Sequence, residues 1–240
     1  MNIVVINGNA RHGSTWHCKE LFVGELRRYT QVALREFTLP KDMPHFCTGC
    51  FNCFFKGEET CPHAKYVQPI VEAMLAADLI VLTSPVYVFD ASGQMKAFLD
   101  HLGYMWLVHR PQASMFRKIG VTISTTAGAG LSHATKTMAN SLTYWGARRV
   151  LSFKAAVNAV SWDGVPKDKR TEKERRLKEL AQHAYNAVQH AEKLPVAPVQ
   201  KGMFFMIRSM MKKGGWNDKD RAYWEAQGWM KGKTPFSSGG

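Results

Sequence analysis

No uninterrupted apolar run in the 240-residue chain approaches the roughly 20 residues that a membrane-spanning helix needs. The chain opens Met1-Asn2-Ile3-Val4-Val5-Ile6 with no basic stretch leading into a long apolar one. No secretory leader is expected, and the cytoplasm is the simplest compartment. Internal repeats are missing, and low complexity is confined to the terminal Ser237-Ser238-Gly239-Gly240. Acidic side chains are scarce: 19 Asp and Glu stand against 32 Lys and Arg, a net charge of +13. That surplus favours anionic partners without choosing among nucleotides, nucleic acid, an acidic protein or an anionic membrane. Nucleic acid is the weakest of these, because no binding motif is visible and the basic residues are spread rather than arrayed with aromatics. A non-enzymatic basic binding module therefore has the least support. The composition, 45% hydrophobic and 21% charged, suits a globular core and excludes a disordered, collagen-like or disulfide-stapled chain.

Five apolar stretches, 3–6, 32–37, 79–83, 119–124 and 150–157, read as strands; most are β-branched and bounded by turn residues. Helical patterns fall between and after them, at 15–29, 66–77, 92–108, 131–145 and 172–192. Strands alternating with helices imply crossover units, a parallel sheet and helices on both faces. This plan accounts for a domain over 1–194, with a cysteine-rich insertion at about 40–65 that does not fit the alternation. Pro195-Val196-Ala197-Pro198 reads as an extended linker into a tail over 195–240.

The first strand enters Asn7-Gly8-Asn9-Ala10-Arg11-His12-Gly13-Ser14-Thr15 and then a helix. A strand, a glycine loop and a helix start make an anion site, because unpaired amides and the helix dipole converge there. Gly8 and Gly13 have the spacing of a triphosphate loop, but Ser14 stands where its lysine belongs. The dinucleotide Gly-x-Gly-x-x-Gly is absent too. What remains is a cradle for one terminal phosphate, or an ordinary glycine-rich turn. The third strand ends in Ser84-Pro85-Val86-Tyr87-Val88-Phe89, an aromatic wall, and Ser92 can cap the next helix. The fourth ends in Thr125-Thr126-Ala127-Gly128-Ala129-Gly130, a small-residue bed on which a flat ring can lie. Phosphate cradle, wall and bed together suit FMN.

Asn-Gly-x-x-Arg-x-Gly-x-Thr at 7–15, Ser-Pro-Val-Tyr at 84–87 and Gln-Met-Lys-Ala-Phe-Leu-Asp at 94–100 resemble the NAD(P)H-dependent FMN reductase branch of the flavodoxin-like superfamily. The resemblance covers about residues 1–190. It implies a flavodoxin-like, doubly wound five-stranded sheet in the order 2-1-3-4-5. It implies phosphate contacts from Asn9, Arg11, Gly13, Ser14 and Thr15, and ring contacts from Pro85, Val86, Tyr87, Val88, Thr126, Ala127 and Gly128. NAD(P)H is the implied co-substrate, a small quinone, nitro or azo compound the implied acceptor, and a homodimer or homotetramer the implied assembly. The family usually has Ser at the position of Asn9, and often Arg at that of His101. No acid or base is required of the protein; Tyr87 is the one weak catalytic candidate, and a stacking wall suits it better.

Cys47, Cys50, Cys53 and Cys61 fall within one short segment, and Cys61 precedes a proline. A continuous run at two-residue spacing suits one corner of a [4Fe–4S] cubane better than the paired knuckles of structural zinc. The run resembles the Cys-x2-Cys-x2-Cys-x4–7-Cys insertion of archaeal-type iron–sulfur flavoproteins. Such a cluster would relay electrons between the flavin and acidic, ferredoxin-like partners. Buried thiols without metal, or a redox pair, stay open, as do His45 and His63 as alternative ligands. In the tail, residues 202–213 are apolar and basic. Asn217 is expected to cap a helix over 218–227, with Asp220 in the capping-box position. Packing on the protein, a neighbouring subunit or the roof of the flavin is favoured for this tail over contact with an anionic membrane.

Overall fold

The computed structural model describes residues 1–159 and 161–236, so the Ser-Ser-Gly-Gly terminus lies outside the described residues. The elements run β1 (Asn2–Asn7), α1 (Ser14–Leu26), β2 (Ala33–Thr38), α2 (Asn52–Phe55), α3 (Ala64–Ala76) and β3 (Leu79–Tyr87). They continue with β4 (Asp90–Ala91), α4 (Gly93–His101), β5 (Ile119–Thr126), α5 (Leu131–Tyr144), β6 (Arg149–Ala156), α6 (Lys167–Gln189), α7 (Pro198–Lys212) and α8 (Asp218–Ala226). The parallel strands lie in the order β2-β1-β3-β5-β6, with the two-residue β4 antiparallel on the end of β3. Counting the five parallel strands alone, this is the expected 2-1-3-4-5 arrangement. No described helix is long and apolar enough to cross a membrane.

Alternation along the central strands explains the layers. Ile3 and Val5 of β1, with Leu79 and Val81 of β3, pack under α1 and α6. Val4 and Ile6, with Ile80 and Leu82, face α3, α4 and α5. Successive side chains point to opposite faces, so strands covered on both sides read as continuous apolar runs. The outer strands β2 and β6 carry mixed burial, as sheet edges do.

Boundaries shift by one to three residues at several elements, as for α1, which ends at Leu26 rather than 29, and by more at three. The strand expected to stop at Thr83 continues through Ser84-Pro85 to Tyr87. Its β1 partner ends at the Asn7–Thr83 pair, so Pro85 sits past that neighbour, at a position where a missing N–H is tolerated. The helix expected over 92–108 stops at His101 and is followed by short 3-10 turns. The last helix of the domain starts at Lys167 rather than 172, with Pro166 in extended backbone at its N-cap.

His17 on α1 stacks on Trp162, with ring centroids 4.9 Å apart. Burial, the leading cause, holds its imidazole below the usual pKa. The native state therefore refuses a proton that the unfolded chain accepts, and stability declines as pH falls below the unfolded value. His17→Gln should flatten that decline: the urea midpoint should change less between pH 7 and pH 5.5 in the variant than in the parent protein.

The tail docks on its own chain. Phe204 stacks on Trp224 (4.9 Å) and meets Trp229 edge-on, forming a small third core with Ile207 and Met211. Trp224 Nε1 donates to the His109 carbonyl (2.6 Å), and Tyr223 Oη donates to that of Pro111 (2.7 Å). Gln200 Nε2 donates to the carbonyls of Thr143 and Ala147. Val199, Phe205 and Met206 stay on the outer side of α7.

A cleft at the carboxyl edge and a cysteine pocket beside it

Three loops meet where β1, β3 and β5 end. Leaving β1, the Gly8 amide donates to the Thr83 carbonyl (2.7 Å), and Ser92 Oγ donates to the Gly8 carbonyl. A Cβ on Gly8 would lie 2.7 Å from Thr83 O, so only glycine lets the loop cross β3 here. Helix α1 then starts at Ser14 with Gly13 as its N-cap; no side chain caps it, and its first turn holds no acid. Its leading amides and positive dipole end are therefore available to an anion. Ser14 and Thr15 are buried, and Thr15 Oγ1 lies 2.7 Å from Thr125 Oγ1 across the base of the cleft. Asn9 Nδ2 donates to Tyr87 Oη (2.9 Å), tying the first loop to the second.

The second loop is a tight hairpin that the sequence reading missed. After Tyr87, Val88 and Phe89 have φ of 47° and 66°, and Asp90–Ala91 pairs back on Val86 and Tyr87. Two consecutive left-handed residues fit the twist of a two-residue hairpin, but a β-branched valine there is strained. Ser92 caps α4, accepting the Met95 amide at 3.2 Å. In the third loop, Thr126 Oγ1 accepts the Gly128 amide and donates to the Ala129 carbonyl, each at 3.1 Å. Gly130, at φ +94°, seats on the second loop, where a Cβ would stand 2.6 Å from Phe89 Cα.

Together these loops line a cleft with Asn9, Arg11, Gly13, Ser14, Thr15, Pro85, Val86, Tyr87, Thr126 and Ala127. Two residues of the expected set are not in its wall. Val88 is the outward tip of the hairpin, 95% exposed, and Gly128 faces solvent beyond Ala127. Three others, Thr125, Val157 and Ala159, were not expected. The rule that open sheets bind ligands at strand carboxyl ends applies equally to β6, and would have pointed to Val157. The wall has parts that FMN would need: an uncapped helix start and a glycine crossing at one end, and apolar Pro85 and Val86 with Tyr87 at the other. Among the described residues, none of the tail lines this chain's own cleft; the tail packs on the protein, as favoured.

The four cysteines border a second, smaller cavity of about 70 Å³, with Phe51, Phe54, His63 and His101 also in its wall. Burial, reinforced by Cys61, Cys47 and Cys50, pushes the Cys53 thiol up to about 11. The Asn52 amide pulls exposed Cys50 down. Four thiols coupled in one apolar recess form a donor set suited to a soft, thiolate-bound group. The loop is gripped from outside by Arg110, whose guanidinium donates to the carbonyls of Cys53 and Phe54. Arg110 in turn pairs with Asp220 of α8. Asn217 Oδ1 does accept the Asp220 amide (2.8 Å) as a helix cap, but the Asp220 carboxylate serves this ion pair, which no local pattern revealed.

An iron–sulfur flavoprotein of Archaeoglobus fulgidus is 34% identical over 86 residues, covering 36% of each chain. One from Clostridioides difficile is 29% identical over 136 residues, 56% of this chain and 58% of that protein. The chain thus spans between about one third and three fifths of these curated relatives. An azoreductase structure from Bacillus anthracis superposes with a TM-score of 0.61 at 15% identity, over 76% of this chain and 99% of that one. An NADH:FMN oxidoreductase superposes at 0.51 with 20% identity, over 83% and 92%. At those identities the likeness is one of fold. The family of NADPH-dependent FMN reductases matches residues 1–161, two thirds of the chain, and the chain belongs to that family.

Proposed function

We propose that the protein is an FMN-dependent NAD(P)H oxidoreductase that passes electrons to a small acceptor of the quinone, nitro or azo type. The observation that carries this reading is the convergence of three strand-end loops on one cleft, polar and amide-rich at the α1 end and apolar at the β3 end. The α1 amides, Ser14 and Thr15 would hold the phosphate, with Asn9 and Arg11 at its outer side. Pro85, Val86 and Tyr87 would border the ring on one side, and Thr126 and Ala127 on the other. When bound, FMN supplies the two-electron chemistry; the chain supplies position and a partly dry wall.

Tyr87 works here as a wall. Its hydroxyl accepts from Asn9 and lies at the junction of two loops. Tyr87→Phe should therefore weaken FMN binding by no more than the net worth of one hydrogen bond, about 1 kcal/mol, and change kcat only a few-fold. A fall of about 100-fold in kcat would instead make it a proton donor. The general test is the visible spectrum of protein purified without air, before and after NADPH. Flavin bands that bleach on addition support the reading, and failure to take up added FMN overturns it.

The cysteine pocket favours a second reading, in which the protein relays electrons between ferredoxin-like acidic partners and FMN through a [4Fe–4S] cluster on Cys47, Cys50, Cys53 and Cys61. Its support is that all four thiols border one recess, and that two relatives are named iron–sulfur flavoproteins. Iron and sulfide analysis of anaerobically purified protein decides it, and the absence of both elements would sink the relay.

A further inference from the structure

We propose that Cys61, His63 and His101 form a mononuclear site for a borderline-soft divalent transition metal, of which zinc is representative. Their ligand atoms all lie within 4.8 Å of one another. A tetrahedral ion with bonds of about 2.0–2.1 Å to nitrogen and 2.3 Å to sulfur holds its nitrogens about 3.3 Å apart, and nitrogen and sulfur about 3.6 Å apart. His63 Nδ1 and His101 Nε2 stand 2.9 Å apart, so loading parts them by a few tenths of an ångström and turns both rings from each other toward an ion shared with Cys61.

The protonation pattern is set for this. His101 Nδ1 lies 2.7 Å from the Ala97 carbonyl, one turn back on α4. A carbonyl only accepts, so Nδ1 carries the proton and the Nε2 lone pair is directed at His63. A carbonyl fixing the outer nitrogen of a ligating imidazole is the usual support for a metal-bound histidine. His101 is buried, and His63 is held by His45, whose ring stacks on it at 4.5 Å and 11°. Burial holds the Cys61 thiol above its usual range, and the His63 amide, donating to its sulfur, offsets this only in part. Without metal, the His63 Nδ1 proton sits between the two rings. Loading moves that proton to Nε2 of His63 and releases the Cys61 thiol proton to solvent, forming two M–N bonds and one M–S bond; nothing is oxidised.

This site differs from a four-thiolate one in needing two histidines and only one of the cysteines. Cys61 belongs to both sets, so the two fillings exclude each other. The inference does not depend on flavin binding, and the full-length, flavin-free protein can test it. After aerobic, chelator-treated purification, titration with Co(II) should give one equivalent of visible d–d absorption with a thiolate-to-cobalt band, erased by one equivalent of zinc. His63→Ala and His101→Ala should each weaken cobalt binding by at least about 10-fold. Cys61→Ser should abolish the thiolate band, while Cys47→Ser and Cys50→Ser change the affinity less than about 3-fold. Far-UV circular dichroism and the volume-matched His101→Gln guard against misfolding; Gln, too, should weaken binding. No cobalt uptake by the parent protein overturns the proposal. So does uptake that survives both histidine substitutions, or that is lost with Cys47 or Cys50.

Discussion

Asp220→Ala should cost about 3–5 kcal/mol of stability and release the C-terminal helices from the domain. The carboxylate is fully buried. It receives Arg110 Nη1 at 2.5 Å, His109 Nδ1 at 2.7 Å and Asn217 Nδ2 at 2.8 Å. Alanine would leave the guanidinium, itself only 5% exposed, with two carbonyls and the half-buried Glu58 carboxylate 3.4 Å away. A buried cation stripped of its main counter-charge is among the costliest outcomes of a single substitution. The helix cap is not at issue, because Asn217 Oδ1 still accepts the amide at position 220. Urea unfolding followed by tryptophan fluorescence reads the change directly, since Trp216, Trp224 and Trp229 all lie in the tail. The pairing of Asp220→Leu with Arg110→Met should recover part of the loss, because it removes both charges together. A single-site loss below 1 kcal/mol would mean that the ion pair does not hold the tail. Because Arg110 also grips Cys53 and Phe54, the same variant should raise the alkylation rate of Cys53.

Gly8→Val should lower FMN affinity by about 100-fold, equivalent to about 2.7 kcal/mol. The added side chain meets backbone on one side and helix α4 on the other: Thr83 O at 2.7 Å, Ser92 Oγ at 3.0 Å and Met95 Cβ at 3.1 Å. Thr83 O belongs to the central sheet and cannot retreat, so the first loop must lift, and with it the start of α1. Gly13→Ala is the natural contrast. Its φ of −95° is open to any residue, and the nearest atom to a Cβ is Arg11 Nε at 3.6 Å. That variant should bind within about 3-fold of the parent, since no backbone has to move. Quenching of flavin fluorescence on titration measures both. Equal affinities for the two variants would show that the cradle does not depend on the Gly8 crossing.

Much of the sheet was legible because its central strands are buried on both faces, and such strands announce themselves as apolar runs. The cleft was legible for a related reason: phosphate and ring sites at strand ends need glycines, small hydroxyls and prolines in short order, and Gly8, Ser14 and Pro85 are local signals. Thr125 escaped because its role is to meet Thr15, 110 residues away. Val88 was expected at the ring because the resemblance carries contacts over by position in the chain, whereas the hairpin here turns it outward. The Asp220–Arg110 pair was invisible for the same kind of reason. A capping aspartate looks alike whether its carboxylate faces water or a guanidinium half the chain away.

Gly130 rests directly on the Phe89 backbone, so the hairpin and the small-residue bed cannot open independently. Two of the three jaws of the cleft are thus packed backbone to backbone. The third jaw is different. Residues 9–12 have no regular structure, and Ala10, Arg11 and His12 are exposed. The Asn9–Tyr87 hydrogen bond ties this loop to the packed pair, so the three jaws share one point of attachment at the mouth of the cleft.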